Sequence, residues 1–438
     1  MKRGRMSRIL AAALFCICSA VYFFSPARAV MDSHYSMLLG ENLWRHHSFA
    51  LDRYFVHPDR HWSHAPTGTN LPYHVYRHAG HIFYTYPPGS SVLSIPIVMA
   101  ANAAGITATH PRNGYDRDGE LNIERIGAAL VAALTVAVIF LASLQFLDER
   151  RAAAVALAAA FATGMWSTAS RVLWSHTWGC CLLAVAILVL ARAANGARLR
   201  PVLLASLVGL MYLTRPATSF SVIAITLFVA LRHRRDFLPY ALTGAVWLAI
   251  FLVFTFATTG HLLSPYYKGG ARFTLQFIRE GVPGILVSPS RGLFVYSPAT
   301  LIAFWFAWRN RSATPLLQLA TGAVLLNIVV MFAWPMWWGG FGYGARLLTD
   351  IVPWLALMAA LGWSAAIETP RQNKPATAMA ARAAAVLLLA VSVAMQAVGA
   401  FSMAAWRWNI FPNNIDEHQE RLWDWRNAQF LQPFVSGK

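Results

Sequence analysis

Residues 126–147 read IGAALVAALTVAVIFLASLQFL, a run of 22 residues without Asp, Glu, Lys or Arg. As a helix it would be about 33 Å long, close to the hydrocarbon thickness of a bilayer. Similar apolar runs recur along the 438-residue chain, which is 57% hydrophobic and only 12% charged. Soluble globular domains carry about 25% charged residues. The composition therefore excludes a soluble protein and predicts helices that cross a membrane.

The sequence predicts about eleven spans in an all-α, polytopic helix bundle. The first covers residues 9–24 and follows four basic residues. Two others, 201–214 and 217–231, are short against the ~20 residues that a span usually needs. The ten spans after the first lie near residues 125–147, 152–169, 177–193, 201–214, 217–231, 238–258, 292–308, 314–333, 347–366 and 380–401.

Residues 87–105 form a further apolar run, and the basic loops decide whether it crosses the membrane. If it does not cross, all the arginine-rich loops between spans lie on the side of the basic N-terminus, as the positive-inside rule requires. Pro87, Pro88 and Pro96 also interrupt the run, and proline removes backbone donors that lipid cannot replace. We therefore expect this run to lie at the outer membrane surface, with the N-terminus inside and the C-terminus outside.

The formal net charge of +18 follows mostly from this topology. The inner side holds 17 Lys and Arg against 4 Asp and Glu, and the outer side holds 19 against 14. Charges that orient helices in a membrane give no reason to expect nucleic acid as a partner. Membrane lipids are the expected surroundings.

The outer side contains the segments that are long enough to build a site. Residues 1–401 are predicted to form one transmembrane domain. Its first outer loop, residues 25–124, carries surface-lying helices, and its second large outer loop covers residues 259–291. Residues 402–438 form a short outer C-terminal segment.

Asp32 is the candidate catalytic residue, because it lies just outside the first span in a loop rich in Tyr, Trp and His. A carboxylate at this place can act as general base toward a hydroxyl at the membrane surface. The alternative role is the N-capping of the helical pattern that begins near Met37.

Histidines are dense in the same loop, which raises the question of a metal site. His57, His61 and His64 are weak candidates as ligands of a divalent metal, because their spacing fits no zinc signature. Surface or aromatic-packed histidines are the more common explanation, and no cofactor is predicted with certainty.

Several cations are predicted at the outer face. Arg291 and Arg346 lie in turns that contain glycine, which allows close approach of the backbone to a ligand. Lys268, Arg272 and Arg215 complete the set. Snorkelling to lipid headgroups explains isolated cases but not the glycines.

Three short motifs resemble those of the GT-C glycosyltransferase superfamily. They are YTYPPG at residues 84–89, SPSRGLFVYSP at 288–298 and WWGGFGYGARLL at 337–348. The Asp after the first helix and the Arg125 that opens the second span fit the same pattern. Bacterial members of this superfamily include relatives of the protein O-mannosyltransferases, the aminoarabinose transferases of lipid A and the arabinofuranosyltransferases.

The resemblance implies an inverting glycosyltransferase of the EC 2.4 type in a bacterial inner membrane, with its active site facing the periplasm. The donor would be a polyprenyl-phosphate-linked sugar, and the acceptor a hydroxyl of a glycan, lipid or protein. Asp32 would be the catalytic carboxylate. Independently of the resemblance, a departing phosphate needs fixed positive charge, so the five cations are candidates to hold the donor phosphate. Candidates for substrate contacts are His34, Tyr35, Tyr84, Tyr86 and Asp116. Ser33 departs from the Asp-Glu pair of many members, so the resemblance does not supply a second carboxylate.

Two other functions remain open at this point. A transporter or flippase of a lipid-linked sugar would also be polytopic and basic, although such proteins keep ionisable groups near the middle of spans. An O-antigen ligase or polymerase with a diphosphate-linked donor would use arginines equally well.

Overall fold

The computed structural model describes residues 2–28, 31–55, 71–110, 114–263, 274–310, 314–368 and 375–435. Most of these residues are helical. The helices are α1 (Lys2–Phe24), α2 (Ser36–His46), α3 (Gly89–Leu93), α4 (Ile95–Ala103), α5 (Arg117–Ser143), α6 (Glu149–Phe161), α7 (Ser175–Ala194), α8 (Pro201–Thr214), α9 (Ser219–Arg232), α10 (Arg234–Thr259), α11 (Leu275–Val287), α12 (Leu293–Tyr296), α13 (Thr300–Arg309), α14 (Pro315–Phe332), α15 (Val352–Glu368), α16 (Pro375–Phe401), α17 (Met403–Arg407) and α18 (Gln432–Val435).

Short irregular elements join these helices. One π-helix covers Met165–Ala169, and the 3-10 helices are Met31–Ser33, Asp52–Tyr54, Pro216–Thr218, Arg346–Ile351, Gln419–Trp423 and Gln429–Leu431. Two small antiparallel hairpins lie in the first outer loop. They pair β1 (Val75–His78) with β2 (His81–Tyr84), and β3 (Thr109–His110) with β4 (Gly114–Tyr115).

Among the described residues, seven helices are long and apolar enough to cross a membrane. They are Arg5–Phe24, Arg117–Ser143, Ser175–Ala194, Arg234–Thr259, Pro315–Phe332, Arg346–Glu368 and Ala378–Phe401. Two shorter apolar helices, Pro201–Thr214 and Pro216–Arg232, are the pair that the sequence marked as short. The prediction of an all-α, multi-pass membrane protein is confirmed, whereas the number eleven stays a prediction.

Two predicted spans are broken rather than continuous. In the predicted span 152–169, α6 ends at Phe161 and the π-helix follows after a short gap. The predicted span 292–308 is divided between α12 and α13. Residues 87–105 fold into α3 and α4, of 5 and 9 residues. Nine helical residues cover only about 14 Å, so neither helix can cross a bilayer.

Helix α5 is the centre of the bundle. Within its most apolar window 78% of the residues are buried, against 11% in α10. The buried face of α5 is rich in alanine, including Ala128, Ala132 and Ala133. Small residues let neighbouring helices approach closely, and α1, α6 and α7 all pack here. Helix α10 instead exposes Leu238, Leu242 and other large apolar side chains, as expected of a surface that faces lipid.

A second, smaller core lies at the N-terminal end of α5. Helices α2 and α4 pack there, and Met37, Leu38, Val98 and Ile123 are fully buried between them. The helical pattern through Met37–Leu39 was predicted to rest on the membrane surface. In the structure it lies on the protein's own outer core, which places the 3-10 turn before it at the edge of the bundle.

Candidate active site

The candidate site lies where the chain leaves α1. The last carbonyl groups of a helix have no hydrogen-bond donors within the helix. At the end of α1, two arginines provide these donors. Arg125, in α5, donates from Nε and Nη2 to the carbonyl oxygen of Phe23 at 3.0 and 2.7 Å. Arg171, before α7, donates to the carbonyl oxygen of Tyr22 at 2.7 Å. These contacts fix the end of α1 and hence the start of the segment that leads to Asp32.

Asp32, in the 3-10 turn Met31–Ser33, pairs with Arg346, which lies 314 positions later in the chain. The Nη2 of Arg346 donates to Oδ2 of Asp32 at 2.6 Å. The Asp32 side chain is 31% exposed and that of Arg346 is 13% exposed. The pair therefore lies at the protein surface, where a ligand can reach both groups.

The N-terminus of α2 is capped by a different carboxylate. Glu120 accepts from the backbone N–H groups of Tyr35, Met37 and Leu38 at 3.1, 2.9 and 3.2 Å. Capping of α2, the alternative role for Asp32, is thus filled by Glu120. Asp32 is left facing Arg346.

Arg346 keeps Asp32 ionised at neutral pH. Burial alone would raise the pKa of the Asp32 carboxyl. The charge and the hydrogen bond of Arg346 outweigh burial and lower that pKa below its ordinary value of 3.8. His74 and His176 act in the same direction, which places both rings near the carboxylate.

The guanidinium of Arg346 has a buried donor that lacks an acceptor. Its carbon lies 4.9 Å from the ring centre of Trp174, so one face of the group is covered by an aromatic ring. Its Nε is buried and has no hydrogen-bond acceptor among the described residues. An unsatisfied buried N–H is unfavourable by roughly 1–3 kcal/mol. An anion that reached this nitrogen would recover that free energy.

A second carboxylate, which the sequence analysis missed, lies one helical turn after Arg346. Asp350 is 4% exposed and sits between two cationic or ionisable groups. Its Oδ1 is 2.9 Å from Nδ1 of His176, and its Oδ2 accepts from Nε of Arg215 at 2.5 Å. Arg215 also donates to the hydroxyl of Ser175 at 3.2 Å.

This arrangement joins α7, the end of α8 and the 3-10 helix Arg346–Ile351 beneath the Asp32–Arg346 pair. It places Arg215, predicted as a phosphate ligand, in a buried ion pair with its side chain 13% exposed. His176 directly precedes the predicted span 177–193, and Asp350 lies near the start of the span 347–366, so ionisable residues at the ends of apolar spans are the signal that would have found them.

Aromatic rings and histidines line the site on the side of the first outer loop. The ring centre of His74 is 3.8 Å from that of Tyr73, in a stacked arrangement, and 4.9 Å from that of His34. Burial, together with the negative charge of Asp32, raises the pKa of Tyr73 to about 12. The charge of Asp32 therefore acts on the Tyr73 hydroxyl, and no sequence motif marks this tyrosine.

The predicted substrate contacts fall in two groups. Tyr35 is buried, and its ring lies 5.9 Å from that of His74, so it supports the histidine from behind. Tyr84 and Tyr86 pack against each other at 5.5 Å. Gly89, which follows them, packs closely against Thr214, the residue before Arg215. A Cβ on Gly89 would lie 2.5 Å from Thr214. The YTYPPG segment is thereby held against the same network.

Asp116 serves as the N-cap of α5. Its Oδ1 accepts from the backbone N–H of Gly119 at 3.0 Å. Of the other acidic residues in this stretch, Glu120 is engaged by α2. Glu124 is buried, with Nη1 of Arg117 3.6 Å from one of its oxygens. These groups organise the outer end of α5.

Arg291 has a different environment from the one that the sequence predicted. It is 2% exposed, and all five of its N–H groups are bonded within the protein. The acceptors are the carbonyl oxygens of Trp338, Ser290 and Gly340 and the side chains of Gln429 and Asn409. A guanidinium has five donors, so none remains for a donor phosphate. Burial lowers the pKa of Arg291 to about 10.

The glycines before Arg346 are required by the loop itself. Gly339, Gly340 and Gly344 have φ of 72°, 60° and 54°, which L-residues with a Cβ rarely adopt. Gln429 binds this loop by donating to the carbonyl oxygen of Gly342 at 2.8 Å and accepting from the N–H of Gly344 at 3.2 Å. The C-terminal segment thus fixes the loop that delivers Arg346.

Some predicted residues lie outside the described part of the chain. These are Lys268 and Arg272, and the weak metal candidates His57, His61 and His64. Their roles stay predictions. Among the described residues there is no group of three His, Cys, Asp or Glu that could hold a metal ion.

Comparison with solved structures finds two structures of an archaeal oligosaccharyltransferase. One structure is the oligosaccharyltransferase AglB from Archaeoglobus fulgidus in complex with an inhibitory peptide and a dolichol-phosphate, with a TM-score of 0.48 and 13% identity. Another is the Archaeoglobus fulgidus oligosaccharyltransferase in the apo form, with a TM-score of 0.46 and 13% identity. The matches cover 94% of this chain but only 59% and 60% of those chains.

No protein-family model matches the chain. No curated protein matches it in sequence.

Proposed function

We propose that this protein transfers a sugar from a polyprenyl-phosphate donor to a hydroxyl acceptor at the outer face of a membrane, with inversion at the anomeric carbon. The observation that carries the proposal is the 2.6 Å contact between Asp32 and Arg346. It joins a carboxylate and a guanidinium at the exposed edge of a membrane bundle, beside rings that can cover a sugar.

The two groups have complementary tasks. The acceptor oxygen attacks the anomeric carbon, and the bond from that carbon to the phosphate oxygen breaks. The electron pair leaves with the polyprenyl phosphate, whose growing negative charge Arg346 stabilises. The acceptor's proton passes to Asp32, which is ionised before the transfer because Arg346 lowers its pKa. A single displacement inverts the configuration.

The donor phosphate is proposed to bind at Arg346. Its Nε lacks an acceptor among the described residues, so the phosphate supplies one. Arg215 adds positive charge beside Asp350, which accepts from its Nε and lies one turn after Arg346. The stacked rings of Tyr73 and His74 form a wall for the sugar. Their faces are apolar and their edges carry polar atoms.

The position of the ionisable groups favours an enzyme over a transporter. Asp32 follows the end of α1, Arg215 follows the end of α8, and His176 opens α7. All of them therefore gather at one end of the bundle. Transporters keep such groups near the midplane, where access alternates.

The test compares Asp32→Asn and Arg346→Gln with the wild-type protein in purified form. A panel of polyprenyl-phosphate sugars provides the donors, and transfer or release of the sugar is measured. Asp32→Asn should reduce turnover by about 10²–10⁴-fold, the range for a general base, while binding of unglycosylated polyprenyl phosphate persists. Arg346→Gln should weaken that binding.

Asp118→Asn is the matched control, because Asp118 is an exposed carboxylate in the first turn of α5, in the same outer region. It should leave turnover unchanged. Full turnover in Asp32→Asn would remove the proposed base. Transfer from diphosphate-linked donors alone would favour a ligase or polymerase instead.

A further inference from the structure

A cleft opens at the end of the bundle opposite the candidate active site. It lies where α7 ends and α8 begins, around residues 195–200, and encloses about 1010 Å³ including the open space at its mouth. Ser175, at the other end of α7, contacts Arg215 of the site network. The 20 residues of α7 separate the two ends by about 30 Å, the thickness of a bilayer core. The cleft therefore faces the opposite membrane surface.

Three arginines line this cleft and have no protein partner among the described residues. Arg192, Arg198 and Arg200 are exposed, and among the described residues none of their guanidinium groups makes a hydrogen bond or an ion pair. No acidic side chain lines the cleft. Arg192 also borders a neighbouring cavity that contains Asp148 and Glu149, but Asp148 is paired with Arg151 at 2.5 Å.

The remaining walls of the cleft are apolar. Val189, Leu199 and Leu203 line it together with Ala197 and Pro201. Leu203 is 40% exposed, so the cleft continues into the surface that faces lipid. The positive-inside rule accounts for arginines on this face of the membrane. It does not require three of them around one cleft with an apolar wall.

We propose that this cleft binds the headgroup of an anionic phospholipid from the inner leaflet, and that a cardiolipin-type headgroup, with two phosphates joined by glycerol, fits it best. Guanidinium groups bind phosphate oxygens in a bidentate manner. Three guanidinium groups match a headgroup with two phosphates better than a headgroup with one phosphate. The acyl chains lie along Leu203 and the lipid-facing side of α8. This lipid is distinct from the donor, which binds at the other end of α7.

The test titrates tetraoleoyl cardiolipin into the detergent-solubilised full-length protein and counts bound lipids by native mass spectrometry. Dioleoyl phosphatidylglycerol and dioleoyl phosphatidylcholine are the comparison lipids, and pyrophosphate tests a free anion. The variant is Arg192→Gln, Arg198→Gln and Arg200→Gln together. Each arginine near an anionic headgroup contributes about fivefold, so the triple variant should bind cardiolipin about 100-fold more weakly.

The matched control replaces Arg232, Arg234 and Arg235 with Gln. It removes the same charge from the same membrane face but from residues that do not line the cleft. Normal cardiolipin binding in this control and loss in the cleft variant support the site. Equal loss in both variants, unchanged binding in both, or a preference for pyrophosphate over the lipid would overturn it. If the triple variant does not fold, each single variant must weaken binding on its own.

Discussion

Asp350 is almost completely enclosed, yet it holds two partners, the His176 ring at 2.9 Å and the Nε of Arg215 at 2.5 Å. Removing one member of a buried ion pair leaves the other charge without compensation, which destabilises proteins by about 3–5 kcal/mol. We expect Asp350→Asn to lower the free energy of unfolding by about this amount. The midpoint of thermal unfolding in a fixed detergent measures the effect.

Asp148→Asn provides the comparison at a surface pair. Asp148 bonds Arg151 at 2.5 Å with its side chain 37% exposed, and such pairs contribute about 0–1 kcal/mol. Asn also preserves the N-cap that Asp148 supplies to α6. A shift in Asp350→Asn no larger than that in Asp148→Asn would show that the buried network does not stabilise the bundle.

Individual residues of the site show what sequence reasoning can reach. Asp32 was predicted from its place after the first span, a local signal. His176 and Asp350 are 174 positions apart in the chain, and only their contact in space identifies them as a unit. Arg291 was assigned to phosphate because it sits beside a glycine. Its five acceptors include residues up to 138 positions away, which no local pattern reveals.

At the scale of elements, the helices were predictable because each one is a local apolar run. The breaks were not, since they depend on partners. The π-helix Met165–Ala169 precedes Arg171, whose Nε bonds the carbonyl oxygen of Trp166 at 2.9 Å. Likewise, the glycine loop before Arg346 takes its shape from Gln429 in the C-terminal segment.

That loop makes Gly344 sensitive to any side chain. Its φ is 54°, and a Cβ would lie 2.5 Å from the ring of Tyr296. Left-handed backbone costs L-residues about 1–2 kcal/mol, and overpacking adds about 1–3 kcal/mol. We expect Gly344→Ala to lower the unfolding midpoint and to weaken polyprenyl-phosphate binding, because the loop positions Arg346.

Gly322→Ala in α14 is the control for this substitution. A Cβ there meets nothing within 4 Å, and alanine suits a helix interior better than glycine. Its unfolding midpoint and its affinity for polyprenyl phosphate should not fall. If Gly344→Ala behaves like Gly322→Ala, the loop does not constrain Arg346.

At the scale of the whole molecule, the Asp32–Arg346 pair tests the topology. Groups 2.6 Å apart must lie at the same membrane face, so the chain between them crosses an even number of times. The predicted spans from 125–147 to 314–333 give eight crossings. Counting residues 87–105 as a further span would give nine and would separate the two residues. With the eight predicted spans, the pair favours a path in which residues 87–105 do not cross. The shortness of α3 and α4 favours the same path.

Thiol labelling on intact cells checks which face this is. In a Cys16→Ser background, chosen because Cys16 is the exposed cysteine among the four, Asp118→Cys should react with an impermeant maleimide from outside. Arg235→Cys should react only after permeabilisation, because the basic loops are expected in the cytoplasm. Asp118 opens α5 and Arg235 opens α10, with five predicted spans between them. If only Arg235→Cys reacted from outside, the orientation of the bundle would be the opposite of the predicted one. The Asp32–Arg346 pair would then lie at the cytoplasmic face, which contradicts transfer at the outer face.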